Sequence, residues 1–95
     1  MRHVQALPSF LRTVKRLNRN EKDRLNSALK TFAQFLISGE APYGFRLKKL
    51  KYNIFEFRID IKSRVLVKIE EEICYLIIYG NHDEIRKYLK KTGQL

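Results

Sequence analysis

The sequence predicts one α+β domain over residues 1–95: an N-terminal strand, a two-helix hairpin, a three-stranded antiparallel meander and a C-terminal helix. Three observations carry this expectation. Residues 53–79 hold three runs rich in Ile, Val, Phe and Tyr, with gaps too short for a helix, so neighbouring runs must pair antiparallel. Residues 9–38 repeat apolar side chains at helical rather than strand spacing. A chain of 95 residues with 44% hydrophobic content can fill one modest core.

Residues 2–7 are short and mixed, with Val4, Ala6 and Leu7 apolar. They are assigned to an edge strand, because Pro8 stops them and a helix signal follows at once. Ser9 is a candidate N-cap for a helix over 9–18, in which Phe10, Leu11, Val14 and Leu17 form the apolar stripe. Residues 18–20 break that pattern. Asn20 and Asp23 have capping-box spacing, and Leu25, Ala28, Leu29, Phe32 and Leu36 then line one face of a helix over 20–38. Gly39 stands where a helix end wants a left-handed residue. Residues 40–52 read as a connector punctuated by Pro42 and Gly44, with cations at Arg46, Lys48, Lys49 and Lys51. Everything before residue 53 is expected to cover one face of the sheet.

In the first meander run, Phe55, Phe57 and Ile59 alternate with Glu56, Arg58 and Asp60. In the second, Val65, Val67 and Ile69 alternate with Arg64, Leu66 and Lys68. Aligning the apolar sets puts Arg58, Arg64 and Lys68 on the other face beside Glu56, with Arg64 expected to face solvent. The third run is apolar on both faces and belongs at a covered, central position. Asn81 and Glu84 again have capping-box spacing and start a last helix, with Ile85 and Leu89 inward. His82 therefore sits where a strand ends and a helix begins, and Tyr88 lies six residues on.

Charge narrows the function classes. The formal net charge is +10, and residues 1–52 carry 12 basic against 3 acidic side chains. A small domain this basic attracts polyanions: nucleic acid, the ribosome or an acidic protein. No apolar stretch approaches the roughly 20 residues of a membrane span. No long apolar N-terminal region suits a secretion signal, so a cytoplasmic protein with no membrane partner is expected. Cys74 lies alone in the most apolar run and reads as a buried inert thiol. No metal-ligand spacing, P-loop, dinucleotide-binding glycine pattern or nucleophile elbow is present, so neither a metal nor a small-molecule cofactor is expected.

Cations beside a His and a carboxylate suit RNA cleavage by its own 2′-hydroxyl. That reaction needs a base for the hydroxyl, an acid for the 5′-leaving oxygen, and positive charge where the phosphorane gathers negative charge. His82 can be acid or base near neutrality, Arg58 and Arg64 can bind the phosphorane, and Tyr88 can stack on a base. The same residues also fit a passive RNA- or ribosome-binding module in which His82 merely begins a helix.

Three patterns, Phe55-Glu-Phe-Arg-Ile59, Ser63-Arg-Val-Leu-Val67 and Tyr79-Gly-Asn-His-Asp-Glu-Ile-Arg-Lys-Tyr88, resemble the RelE/ParE superfamily of toxins from toxin–antitoxin systems. With the order of elements, the resemblance covers nearly the whole chain. It implies a RelE-like mRNA interferase that cuts ribosome-bound mRNA without a metal and is held inactive by an acidic antitoxin. Arg64 matches the phosphate-stabilising Arg at the start of the family's middle meander strand. Arg58 lies near a basic strand position, about one residue out of the spacing in some relatives. The resemblance gives His82 the general-acid role and Tyr88 the base-stacking role, and leaves Glu56 as a candidate base. Arg46, Lys48, Lys49, Lys51 and Lys68 are the expected RNA-binding cations. The superfamily also includes gyrase-inhibiting members that cut no RNA.

Overall fold

The computed structural model describes residues 3–93. Its elements are strand β1 (His3–Ala6), helices α1 (Pro8–Val14) and α2 (Arg19–Ser38), strands β2 (Lys48–Lys49), β3 (Ile54–Arg58), β4 (Arg64–Ile69) and β5 (Ile73–Gly80), and helix α3 (His82–Lys91). The five strands form one mixed sheet in the order β1-β5-β4-β3-β2. β1 runs parallel to β5, and the other neighbours are antiparallel. The expected meander is β3, β4 and β5, and the doubly apolar β5 lies inside the sheet between β1 and β4. The connector differs from expectation, because Lys48 and Lys49 pair with Glu56 and Phe55 and so add a short edge strand.

Strand alternation builds two cores. Phe57, Val65, Val67, Cys74 and Leu76 face α1 and α2, where Phe10, Leu25, Ala28 and Phe32 meet them. Ile54, Leu66, Ile77 and Ile78 face the other way, under Ile85 and Leu89 of α3. The helical hairpin thus covers one face, as expected, while β1 and β2 join the sheet itself. Phe45 was not anticipated as core. It is buried, and its ring stacks on Phe57 at 5.0 Å, with Phe57 on Phe32 at 4.8 Å. This stack anchors the connector to the sheet, and the Arg58 amide donating to the Phe45 carbonyl at 3.2 Å fixes its height.

The helix ends depart from expectation for identifiable reasons. α1 starts at Pro8, with no side-chain cap. Ser9 instead donates to the Ile77 carbonyl at 2.6 Å, and the Tyr79 amide donates to Thr13 at 3.1 Å. These two hydroxyls serve β5 beyond the end of the β1 ladder, where the β4–β5 register shifts between Leu66 and Val67. The capping box of α2 is Asn18 with Glu21, two residues earlier than expected. Glu is long enough to reach back to the N-cap amide and Asp is not. Gly39 is left-handed at φ 77°, and Asn81 with Glu84 form the expected box at α3. Among the described residues, no helix is long and apolar enough to cross a membrane.

Candidate active site

α3 covers only part of its sheet face. Past its first turn the sheet presents Glu56, Arg58 and Arg64 in place of the apolar side chains that α3 buries. These three line a cleft of about 480 Å³ with Arg46, Leu47, Lys48, Phe57 and His82. Six of the ten residues singled out from the sequence therefore converge here: Arg46, Lys48, Glu56, Arg58, Arg64 and His82.

Register explains the convergence. Arg58 pairs directly across from Arg64, and Lys48 across from Glu56. Two like charges facing each other across strands repel. Glu56 offsets this from the diagonal position: its Oε1 accepts from Arg64 Nη1 at 3.2 Å. The Glu56 side chain is 8% exposed and that of Arg64 is 19% exposed. Arg64 does not face solvent as expected, since the pair lies mostly beneath the cleft surface. Among the described residues, Arg64 Nε is the one buried side-chain polar atom with no hydrogen-bond partner. Leaving such a donor unmet costs about 1–3 kcal/mol. The start of β4 is held by Tyr79, whose hydroxyl donates to Ser63 at 2.8 Å.

Asp60 closes the turn before β4. Its Oδ1 accepts from the amides of Lys62 and Ser63 at 2.8 Å each, and its Oδ2 accepts from Arg24 at 3.2 Å. Partial burial alone would raise its pKa, but the two amides, the Ser63 hydroxyl and the Arg24 guanidinium outweigh that and hold the carboxyl below its ordinary 3.8.

His82 is the first residue of α3, half-exposed, at the mouth of the cleft. Arg46 enters from the connector in a left-handed conformation, φ 57°. A residue with a Cβ is strained there by roughly 1–2 kcal/mol. The buried Phe45 beside it fixes the backbone that imposes this conformation. Together these groups form a cationic cleft with one buried carboxylate and one imidazole. Chemically, it can bind a phosphodiester and exchange a proton with a hydroxyl beside it.

The other four candidates lie elsewhere. Lys68 pairs with Glu70 at 3.4 Å, away from the cleft lining. Lys49 lies one residue from Lys48 and so projects from the opposite side of β2, with its Nζ 5.8 Å from the Tyr52 ring centroid. Lys51 is exposed beyond β2. Tyr88 is half-buried and packs on the Ile54–Leu66 core, because six helical residues turn it away from His82. Arg86 was missed. It donates to His82 Nε2 at 3.2 Å, and the His82–Arg86 spacing of four on a helix was the available signal. Among the described residues, no group of three or more His, Cys, Asp or Glu side chains comes together as a metal site.

No protein-family model matches the chain, and no curated protein matches its sequence. Solved structures do match its fold. The Escherichia coli DinJ–YafQ complex has a chain 15% identical, with a TM-score of 0.66, covering 90% of this chain and 98% of that one. A metal-bound toxin from Helicobacter pylori is 14% identical, with a TM-score of 0.68 and coverage of 90% and 99%. The RelB–RelE antitoxin–toxin complex from Methanococcus jannaschii matches at 13% identity, with a TM-score of 0.65 and coverage of 88% and 96%. The chain has the fold of the RelE-like toxins.

Proposed function

We propose that this protein is the toxin of a toxin–antitoxin system and an endoribonuclease that cuts mRNA on the ribosome. The observation that carries this reading is the cleft in which Arg46, Lys48, Glu56, Arg58, Arg64 and His82 meet. In the proposed reaction the 2′-oxygen attacks the adjacent phosphorus, the P–O5′ bond breaks, and a cyclic phosphate and a 5′-hydroxyl result. No oxidant, reductant or activated group is consumed. Arg64 and Arg58 bind the phosphate as charge builds on it. A phosphate oxygen would satisfy the buried Arg64 Nε. Glu56 is a positioning residue here, since its contact is with Arg64 beneath the surface. His82 is the proton-exchanging residue, and Arg46 and Lys48 bind flanking backbone. Tyr88, packed against the core under α3, is given no role in the cleft.

The basic surface suits an acidic antitoxin, and the DinJ–YafQ and RelB–RelE structures are toxin–antitoxin complexes of the same fold. The test is primer extension on an mRNA translated in a purified system, with and without the protein. Cuts within codons, and only with ribosomes present, are expected. Intact mRNA would leave the cleft as a docking surface, as in a gyrase inhibitor or a passive ribosome binder.

A further inference from the structure

The two ring nitrogens of His82 have different neighbours. Nε2 lies 3.2 Å from Arg86 Nε, one helical turn on. Nδ1 lies 3.5 Å from Oδ1 of Asp83. A guanidinium has donors and no acceptor, so it can bond Nε2 only when that nitrogen carries a lone pair. The ring proton then sits on Nδ1, on the side of the Asp83 carboxylate. A free neutral histidine side chain prefers the opposite arrangement, with the proton on Nε2. Among the described residues, Arg86 is the donor to Nε2.

Arg86 also belongs to a second, smaller hollow of about 170 Å³, floored by Leu50, Ile85 and Leu89. This hollow adjoins the cleft through Lys48, Glu56 and His82, which line both. His82 therefore borders both the cationic cleft and the apolar-floored recess, with Arg86 on the side of the recess.

We propose that Arg86 is a positioning residue that holds His82 as its Nδ1–H tautomer, with the Nε2 lone pair set to accept the proton of an RNA 2′-hydroxyl. The catalytic part rests on the reading of the cleft as RNA-cleaving; the tautomer part does not. It assigns His82 the base role, in place of the acid role implied by the family resemblance. The incoming phosphate competes for the Arg86 guanidinium, which pairs with phosphate oxygens more strongly than with a neutral ring nitrogen. Arg86 then turns to the phosphate and the lone pair is released. The 2′-proton moves to Nε2, the O2′–P bond forms, the P–O5′ bond breaks, the leaving oxygen takes a proton from water, and the hydroxide so formed takes the proton from Nε2 and restores the neutral ring.

The tautomer is read from the side-chain nitrogen signals of the full-length protein carrying ¹⁵N-histidine. Spectra are taken across a pH series, and the tautomer is read where the ring nitrogen signals no longer move with pH. The chain has two histidines, and His3, in β1, is the internal reference. The wild type is expected to show the Nδ1–H pattern at His82, and Arg86→Ala to move it towards Nε2–H with His3 unchanged. Arg86→Met, which keeps the aliphatic stem, is the second variant should the first fail to fold. An unchanged His82 pattern in a folded variant overturns the proposal. In the translation-coupled cleavage assay, Arg86→Ala is expected to lower kcat by about tenfold or more, part of what a proton-transfer group supplies. A tautomer that responds in a protein that cuts no RNA would refute the functional reading and leave the Arg86–His82 assignment standing. Cleavage with an unresponsive tautomer would refute this proposal alone.

Discussion

Glu56→Gln is the most informative perturbation of the fold and the cleft together. It keeps the shape of the side chain and removes the charge that faces Arg64. The two groups meet at 3.2 Å with side chains 8% and 19% exposed. At an effective dielectric of about 20, Coulomb's law gives roughly 5 kcal/mol of attraction at that distance. Desolvation absorbs a large share, and losing a hydrogen bond to a charged partner costs about 1.5–3 kcal/mol. The loss is compounded because Arg64 is left opposite Arg58 without its salt-bridge partner. A destabilisation of about 2 kcal/mol is therefore expected, or roughly 8–16 °C in Tm for a domain of this size. The assay is a double-mutant cycle by thermal and urea melts with Glu56→Gln, Arg64→Met and the double variant. Removing both partners of a buried pair is far less costly than removing one. The double variant should recover at least about 1 kcal/mol relative to the sum of the singles. Additivity to within about 0.5 kcal/mol, or a Glu56→Gln melt within roughly 4 °C of wild type, would refute the claim that this pair organises the cleft floor.

Arg46→Gly should raise stability by about 0.5–1 kcal/mol, because it relieves a left-handed residue at φ 57°, yet should weaken binding to RNA; a loss of stability would contradict the strain. Phe45→Ala should cost about 3–4 kcal/mol in urea melts, since it empties a stacked site against Phe57 and frees the connector that carries Arg46 and Lys48. The folded pKa of Asp60 is lowered, so its contribution to stability is present above its unfolded pKa and is lost as pH falls through the folded value. Melts of wild type and Asp60→Asn should therefore differ above about pH 4 and converge below it, and a gap that widens in acid would contradict that sign. His82→Ala should lower cleavage by about 10²–10⁴-fold while ribosome binding persists, and equal loss of both would make His82 a binding residue only.

Much of the cleft was legible because strand alternation is a strong constraint. Once Phe57 and Val65 are inward, Glu56, Arg58 and Arg64 have nowhere to go but the other face. His82 followed from the Asn81–Glu84 capping box, which fixes where α3 starts to within a residue. What could not be read locally was settled by tertiary contacts. β2 is a Lys-Lys pair with no strand propensity of its own, and it pairs because Phe45 and the Leu50 amide, bonded to the Ile54 carbonyl at 2.8 Å, hold it against β3. Ser9 resembles a cap in sequence but finds a stronger use at the Ile77 carbonyl. The solvent-facing expectation for Arg64 failed because alternation, which put Glu56 on the same face, does not say how deeply the pair sits. Tyr88 was drawn towards the site by the family resemblance, whereas the turn of α3 sets it against Ile54 and Leu66.

The central claim is that the cleft directs an RNA 2′-hydroxyl at its own phosphodiester. The most direct measurement is end-group analysis of RNA cut on the ribosome, beside an mRNA carrying a single 2′-deoxy nucleotide at the cleavage position. The expected result is 5′-hydroxyl and 2′,3′-cyclic or 3′-phosphate ends, with no cut at the deoxy position. Fragments with 5′-phosphate ends, or undiminished cutting at the deoxy position, would contradict it.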